Sequence, residues 1–292
     1  MKVAIYSRGG ESVQPDDIAV LLSELRAHRI EPVLHEDIHR QVSECHADLA
    51  GDSVFRDSRD LDESFDCLVS LGGDGTLLDT VTLVRDRDIP VLGINYGRLG
   101  FLASLGKDNM KAAVAALADR SFVIDRRTLL HLDASIPLFG ETPYALNEFA
   151  IHKRDVSPMV RIQTYLNGEI LNNYWADGLI VSTPTGSTAY SLSCGGPVLF
   201  PDTSSFVITP VAPHNLNVRP LVVSDDSVIS FELEGRSDAF ICTLDARKEL
   251  VPRRVQLAVR REAFTLGLVR LNERNFLQTL REKLAWGFDT RN

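Results

Sequence analysis

Cys67-Leu68-Val69-Ser70-Leu71-Gly72-Gly73-Asp74-Gly75-Thr76-Leu77-Leu78 is the stretch that decides the fold class. Its first five residues form an apolar run that reads as a buried strand, and Leu77, Leu78 and Val81 then recur at helical spacing. The glycines between them allow close backbone approach to a ligand and permit positive φ. Turn amides and the positive end of the following helix suit phosphate groups. Asp74 is the odd member, because a carboxylate repels phosphate unless it handles a proton or a metal. Taken alone, the turn reads equally as an ordinary capped helix start and as a catalytic carboxylate.

The residues before this stretch extend the same pattern. Val3-Ala4-Ile5-Tyr6 reads as a strand, Pro15 opens a helix carrying Ile18, Leu21, Leu22 and Leu25, and Val33-Leu34 reads as a second strand. Pro90 to Ile94 is the strand after the glycine turn, and Lys111 to Leu117 is an alanine-rich helix. Strands alternating with helices predict an open, mostly parallel α/β sheet over residues 1–123, with ligands beyond the carboxyl ends of the strands. From Phe122 the pattern changes. Strand-like runs follow one another at Thr128–Ser135, Tyr144–His152, Arg161–Leu166, Ile170–Trp175, Phe206–Thr209, Val228–Glu232, Phe240–Leu244 and Val255–Arg260. Asn167-Gly168 between two of them is a type I′ hairpin signal. An all-β domain of layered sheets is expected over 124–266. An amphipathic helix from Phe276 to Trp286 falls in the remaining 267–292.

A chain of 292 residues with 44% hydrophobic and 24% charged residues has the make-up of a globular protein of one large or two medium domains. The net charge of −9 excludes a general nucleic-acid binder, which needs a basic surface. Cys45, Cys67, Cys194 and Cys242 are scattered without a CxxC pair, as in reduced thiols of a cytoplasmic protein. The first eight residues turn polar too soon for a signal peptide. No apolar run reaches the ~18 residues of a membrane helix, so no membrane association is expected.

A second motif lies about a hundred residues after the first. Thr183-Pro184-Thr185-Gly186-Ser187-Thr188-Ala189-Tyr190 follows the strand-like Gly178-Leu179-Ile180-Val181-Ser182 and carries five hydroxyl side chains. Uncharged donors and acceptors suit a sugar, an adenine edge or a phosphate. A helix start rich in capping residues is the competing reading. With Gly93-Ile94-Asn95, Leu99-Gly100-Phe101-Leu102, Asn147-Glu148, Asp177-Gly178, Pro213-His214 and Arg219-Pro220, these blocks resemble the NAD kinase family over residues 65–245. The glycine–aspartate turn is shared with lipid kinases. The Thr183–Tyr190 block together with Asn147-Glu148 is far more specific.

The resemblance implies transfer of the γ-phosphoryl group of ATP to the 2′-hydroxyl of the adenosine ribose of NAD. Residues 1–123 would form the nucleotide-phosphate domain, 124–266 the NAD-binding domain, and the C-terminal helix would return to the first domain. Asp74 is the candidate general base, with orientation of Mg²⁺ on the donor phosphates as its alternative role. The amides of Gly73, Gly75 and Thr76 would hold phosphate oxygens. Asn147 and Glu148 become NAD contacts, Asp177 lies near the nicotinamide half, and Thr185, Thr188, Ala189, Tyr190 and Ser193 line the adenine and ribose pocket. Phe101 reads equally as a dinucleotide contact and as a core residue. Trp175 and Arg247 stand where relatives more often carry a basic or polar residue and a glutamine, and both are expected to touch ligand. The resemblance also implies a homodimer or homotetramer. No resident metal is assigned to side chains, although His35, His39, Cys45 and His46 offer a weak zinc constellation. The competing functions are a lipid kinase of the diacylglycerol or sphingosine type and a non-catalytic NAD-binding regulator.

Overall fold

The computed structural model describes residues 1–9, 13–51, 53–154, 159–235, 238–271 and 276–286. Arg274, which the sequence groups with Arg270, Arg281 and Lys283 on a solvated helix face, lies outside them. The chain divides into two compact units, one made of Met1–Arg126 with Leu266–Asn292 and the other of Arg127–Thr265.

In the first unit five strands lie parallel in the order Val54–Phe55, Glu31–His35, Lys2–Tyr6, Cys67–Leu71, Val91–Asn95. The two strands Cys67–Leu71 and Val91–Asn95 are buried at every residue. Continuous burial is what parallel strands covered on both faces require, which is why they read as unbroken apolar runs. Parallel neighbours need crossovers, supplied here by helices such as Pro15–Ala27 and Asp74–Val84. The former buries Ile18, Leu21, Leu22 and Leu25 on one stripe. A further helix, Glu36–Cys45, was not expected, because it buries only Ile38 and Val42. The first two connections step outward on one side of Lys2–Tyr6, to Glu31–His35 and then Val54–Phe55, and the next returns to its other side, so the strand order reverses between Lys2–Tyr6 and Cys67–Leu71. Open α/β sheets bind ligands at the carboxyl ends of strands at such a reversal. The C-terminal helix Phe276–Leu284 falls within this unit and buries Thr279 and Leu280.

The second unit is two antiparallel layers. One has the order Leu221–Ser224, Ser205–Val211, Gly178–Ser182, Glu148–Lys153, Ala239–Leu244, Arg247–Pro252. The other contains Glu169–Ala176, Val160–Leu166, Ile229–Glu234 and the start of Leu257–Arg270. Phe149 of one layer meets Phe231 of the other at 5.7 Å between ring centroids, inside a core shared with Ile162, Phe206 and Phe240. Asn167 (φ 51°) and Gly168 (φ 86°) both take positive φ, as a type I′ turn demands. The expected strand Tyr144–His152 is interrupted: the ladder covers Tyr144–Ala145 and Glu148–Lys153, leaving Leu146-Asn147 out.

Candidate active site

In the first unit Gly73 is the N-cap and Asp74 the first residue of its helix. The Asp74 carboxylate does not cap that helix. It accepts the backbone N–H of Phe101 on Oδ2 (2.8 Å) and those of Leu102 (3.0 Å) and Ala103 (2.9 Å) on Oδ1. A carboxylate offers about four acceptor sites, so one position on Oδ2 stays open. Gly100 lies so close that a Cβ there would fall inside the Asp74 carboxylate. Glycine at position 100 is therefore a consequence of the carboxylate's placement. Around Gly73, by contrast, a Cβ would meet nothing within 4 Å. No packing demands that glycine, and it leaves the turn uncovered. The Thr76 amide is already bonded to Gly73 O at 3.0 Å, which leaves the amides of Gly73 and Gly75 as the open donors among the three expected. Phe101 is half-buried.

A cluster that the motifs did not reveal stands beside this turn. Arg8, two residues past the first strand, makes a two-point pair with Asp79, and Tyr6 Oη donates to the same carboxylate at 3.1 Å. Burial, and then the Asp79 charge, push the Tyr6 hydroxyl above the usual tyrosine range. The hydrogen bond to Asp79 raises the already cationic Arg8 further. Arg8 Nη1 lies 3.3 Å from where a Gly75 Cβ would sit. The available signal was positional: Arg8 follows the strand at which the sheet order reverses.

In the second unit the structure gathers the Asn147-Glu148, Thr183–Tyr190 and Asp245 segments around one loop. Thr183 Oγ1 donates to Leu146 O (2.5 Å), and Thr183 N donates to Asn147 O (2.9 Å). Gly186 packs directly on the Asn147 backbone, where a Cβ would overlap the carbonyl. Asp245 accepts three consecutive amides, Leu146 on Oδ2 (3.0 Å), Asn147 on Oδ1 (2.8 Å) and Glu148 on Oδ1 (3.2 Å). These bonds replace the missing strand ladder. Asn147 and Glu148 are each 8% exposed, and Glu148 Oε2 is buried without a hydrogen-bond partner among the described residues. Burial, then the charge of Asp245, push the Glu148 carboxyl up to about 8, while a bond from the Tyr190 backbone opposes the shift.

The hydroxyl-rich block behaves differently from the expectation of outward-facing donors. Ser187 Oγ donates to Pro184 O (2.6 Å) and accepts from Leu199 N (2.9 Å), and Thr188 Oγ1 donates to Thr185 O (3.2 Å). Thr185 is buried, and its hydroxyl accepts from Arg127 Nη1 at 3.3 Å. Short helical turns at Thr185–Thr188 and Tyr190–Ser193 leave unpaired main-chain groups, and these side chains satisfy them. Tyr190 and Ser193 are exposed and Ala189 is half-buried. The Tyr190 ring lies against His152, centroids 5.6 Å apart and planes tilted by 33°. Burial lowers the His152 pKa, favouring the neutral ring.

The other expected contacts are placed as follows. Asp177 pairs with Lys153 (Oδ1 to Nζ, 2.6 Å). Trp175 is 47% exposed, and its carbonyl accepts from the His214 amide at 2.8 Å. Arg247 donates to Thr142 O (2.6 Å), Thr142 Oγ1 (2.8 Å) and Tyr144 O, so its guanidinium serves the neighbouring 142–144 segment. The histidines of the weak zinc constellation are engaged separately: His35 with Arg56 O and the Asp37 amide, His39 with Gly51 O, His46 with Asp16. Among the described residues no group of three or more His, Cys, Asp or Glu side chains could hold a metal ion.

The fold and these motifs define the ATP–NAD kinase class. The family model of the ATP-NAD kinase N-terminal domain matches residues 31–122, and that of the C-terminal domain matches 146–270. The NAD kinase of Cytophaga hutchinsonii is 45% identical over 292 residues, covering 99% of this chain and 100% of that protein. The NAD kinase of Flavobacterium psychrophilum is 42% identical over 294 residues, covering 100% of both. Among solved structures, yeast NADH kinase complexed with NADH superposes with a TM-score of 0.88 at 22% identity, covering 99% of this chain and 89% of that one. An NAD kinase from Archaeoglobus fulgidus in complex with ATP gives 0.76 at 23%, covering 98% and 99%. At those identities the two structures speak to the fold alone. The chain belongs to the NAD kinase family.

Proposed function

We propose that this protein phosphorylates NAD, moving the γ-phosphoryl group of ATP to the 2′-hydroxyl of the adenosine ribose to give NADP. The observation that carries this reading is the full-length kinship, at 40% identity and above, with NAD kinases of several bacteria. Phosphoryl transfer asks a protein for in-line positioning, charge stabilisation and a place for the hydroxyl proton. The open Oδ2 position of Asp74 is the proton acceptor, and the amides of Gly73 and Gly75 hold phosphate oxygens. Arg8, fixed by Asp79, adds cationic charge beside that turn. Asn147 and Glu148 bind the dinucleotide, Tyr190 stacks on its base, and Asp177, held by Lys153, lies toward the nicotinamide half. Trp175, Thr185, Thr188, Ala189, Ser193 and Phe101 are further contacts. Arg247 acts on this site through the 142–144 segment.

Mg²⁺ suits the chemistry as a companion of the donor. Among the described residues the side chains offer no three-ligand cage, and Mg²⁺ is held in such reactions by substrate phosphates, waters and one or two carboxylates. It would neutralise the triphosphate as charge develops. No helix among the described residues is long and apolar enough to cross a membrane. We place the protein in the cytoplasm, as a homodimer or homotetramer. The test is to incubate purified protein with NAD, ATP and Mg²⁺, in parallel with diacylglycerol and sphingoid acceptors. NADP formation with no lipid phosphorylation is expected. Lipid phosphorylation without NADP, or NAD binding without turnover, would overturn the reading in favour of a lipid kinase or a regulator.

A further inference from the structure

We propose that Asp245 is a positioning residue for acceptor binding: its carboxylate gathers the amides of Leu146, Asn147 and Glu148 and so fixes the direction in which the Asn147 and Glu148 side chains meet the dinucleotide. The inference rests on the reading of Asn147 and Glu148 as NAD contacts. Successive amides of a strand point to opposite sides. Three consecutive amides that converge on one acceptor therefore need a nest-like loop, and the strand is broken there. The contact is reciprocal, because Asp245 N donates to Glu148 O at 3.0 Å. Asp245 itself has φ 52°, a left-handed conformation that non-glycine residues rarely hold. Beyond those three bonds the loop is held, among the described residues, by the Asp245 amide, Thr183, Ser182 and the Gly186 contact.

The arrangement also gives Asp245 an electrostatic effect that a merely structural residue would lack. Burial pushes its carboxyl up, but three amides and Arg247 favour the charged form. Glu148 has no such set of three amides, and burial and the Asp245 charge push its carboxyl up to about 8. It faces Asp245 from one turn and Tyr190 and Cys194 from the short helix. A protonated Glu148 donates its hydrogen to a ligand oxygen, and the buried, unpaired Oε2 is the atom positioned to do so.

The test combines Asp245→Asn, Glu148→Gln and Asn147→Ala, each measured for KM(NAD), kcat and calorimetric NAD affinity between about pH 6 and pH 9.5, spanning the Glu148 titration. The wild type should lose NAD affinity as pH rises through about 8. Glu148→Gln should remove that inflection, and Asn147→Ala should weaken NAD binding at every pH. Asp245→Asn should raise KM(NAD) about tenfold or more, the equivalent of at least one lost charge-assisted bond. It should also move the inflection to lower pH while changing kcat far less. Should Asp245→Asn not fold, the wild type and Glu148→Gln profiles still decide: an inflection in Glu148→Gln equal to that of the wild type refutes the proposal. Wild-type KM and pH profile in a folded Asp245→Asn also refute it, provided Asn147→Ala and Glu148→Gln weaken binding. If those two bind NAD normally, it is the underlying assignment of the pair that fails.

Discussion

Replacing Asp74 by asparagine perturbs two things whose magnitudes differ. The carboxylate accepts from Leu102 and Ala103 on Oδ1 and from Phe101 on Oδ2. An asparagine keeps one oxygen, so two of those bonds survive, while its NH₂ group confronts the Phe101 N–H. Leaving that donor unsatisfied costs about 1–3 kcal/mol, or a melting shift of roughly 2–4 °C per kcal/mol for a unit of this size. Loss of the proton acceptor lowers the rate by ~10²–10⁴. The variant should therefore remain folded, melt a few degrees lower, bind NAD with unchanged affinity and turn over at least ~10²-fold more slowly. The assay is NADP formation under saturating NAD, ATP and Mg²⁺, with melting and NAD calorimetry on the same preparation. A folded variant that keeps most of its kcat would refute the base assignment and leave Asp74 as the organiser of the 100–103 loop.

Gly186→Ala must push on the Asn147 carbonyl, a backbone atom that cannot swing aside; thermal melting should show a loss of about 1–3 kcal/mol, with KM(NAD) raised. Tyr190→Ala should raise KM(NAD) by the ~0.5–1.5 kcal/mol of a stacking contact, whereas Tyr190→Phe, which keeps the ring on His152, should not; equal effects in steady-state kinetics would count against stacking. Glu148 has a folded value of about 8 against an ordinary 4.5, so its contribution to stability is full below about pH 4.5 and is lost as pH rises through about 8. Melting across that window should decline less in Glu148→Gln than in the wild type.

What could be read in advance follows the range of the interactions. The Cys67–Leu71 strand, the glycine turn and the helix after it depend on neighbours in sequence, and so does the Asn167-Gly168 turn. The change to alternating strands beyond residue 122 is likewise local: along Val160–Leu166, residues 160, 162 and 164 are buried while 161, 163 and 165 are not. The break at Leu146-Asn147 was not legible, because the group that causes it is Asp245, 97 to 99 residues further on. Nothing in Pro143-Tyr144-Ala145-Leu146 itself disfavours a strand. The hydroxyls of Thr183, Ser187 and Thr188 were placed in the right segment, but their inward direction depends on which main-chain groups the fold leaves unpaired. Arg8 and Asp79 were hidden for the same reason, being 71 residues apart.

Both units use one device, and the comparison separates its two consequences. Asp74 takes the amides of 101, 102 and 103, and Asp245 those of 146, 147 and 148, each with two bonds on Oδ1 and one on Oδ2. In each unit the carboxylate reaches far along the chain, so the loop it organises has a shape that local sequence does not encode. In each a glycine lies at close contact, Gly100 on the Asp74 carboxylate and Gly186 on the Asn147 backbone. The difference lies in what remains open. Asp74 stands at the carboxyl end of a parallel sheet, beside an uncovered glycine turn, with Oδ2 able to accept one more hydrogen. Asp245 is half-buried with its carboxylate taken up by three amides, and its charge is felt by Glu148. The same geometry thus yields a group able to take a proton in one unit. In the other it yields a group that governs where a neighbour's proton sits.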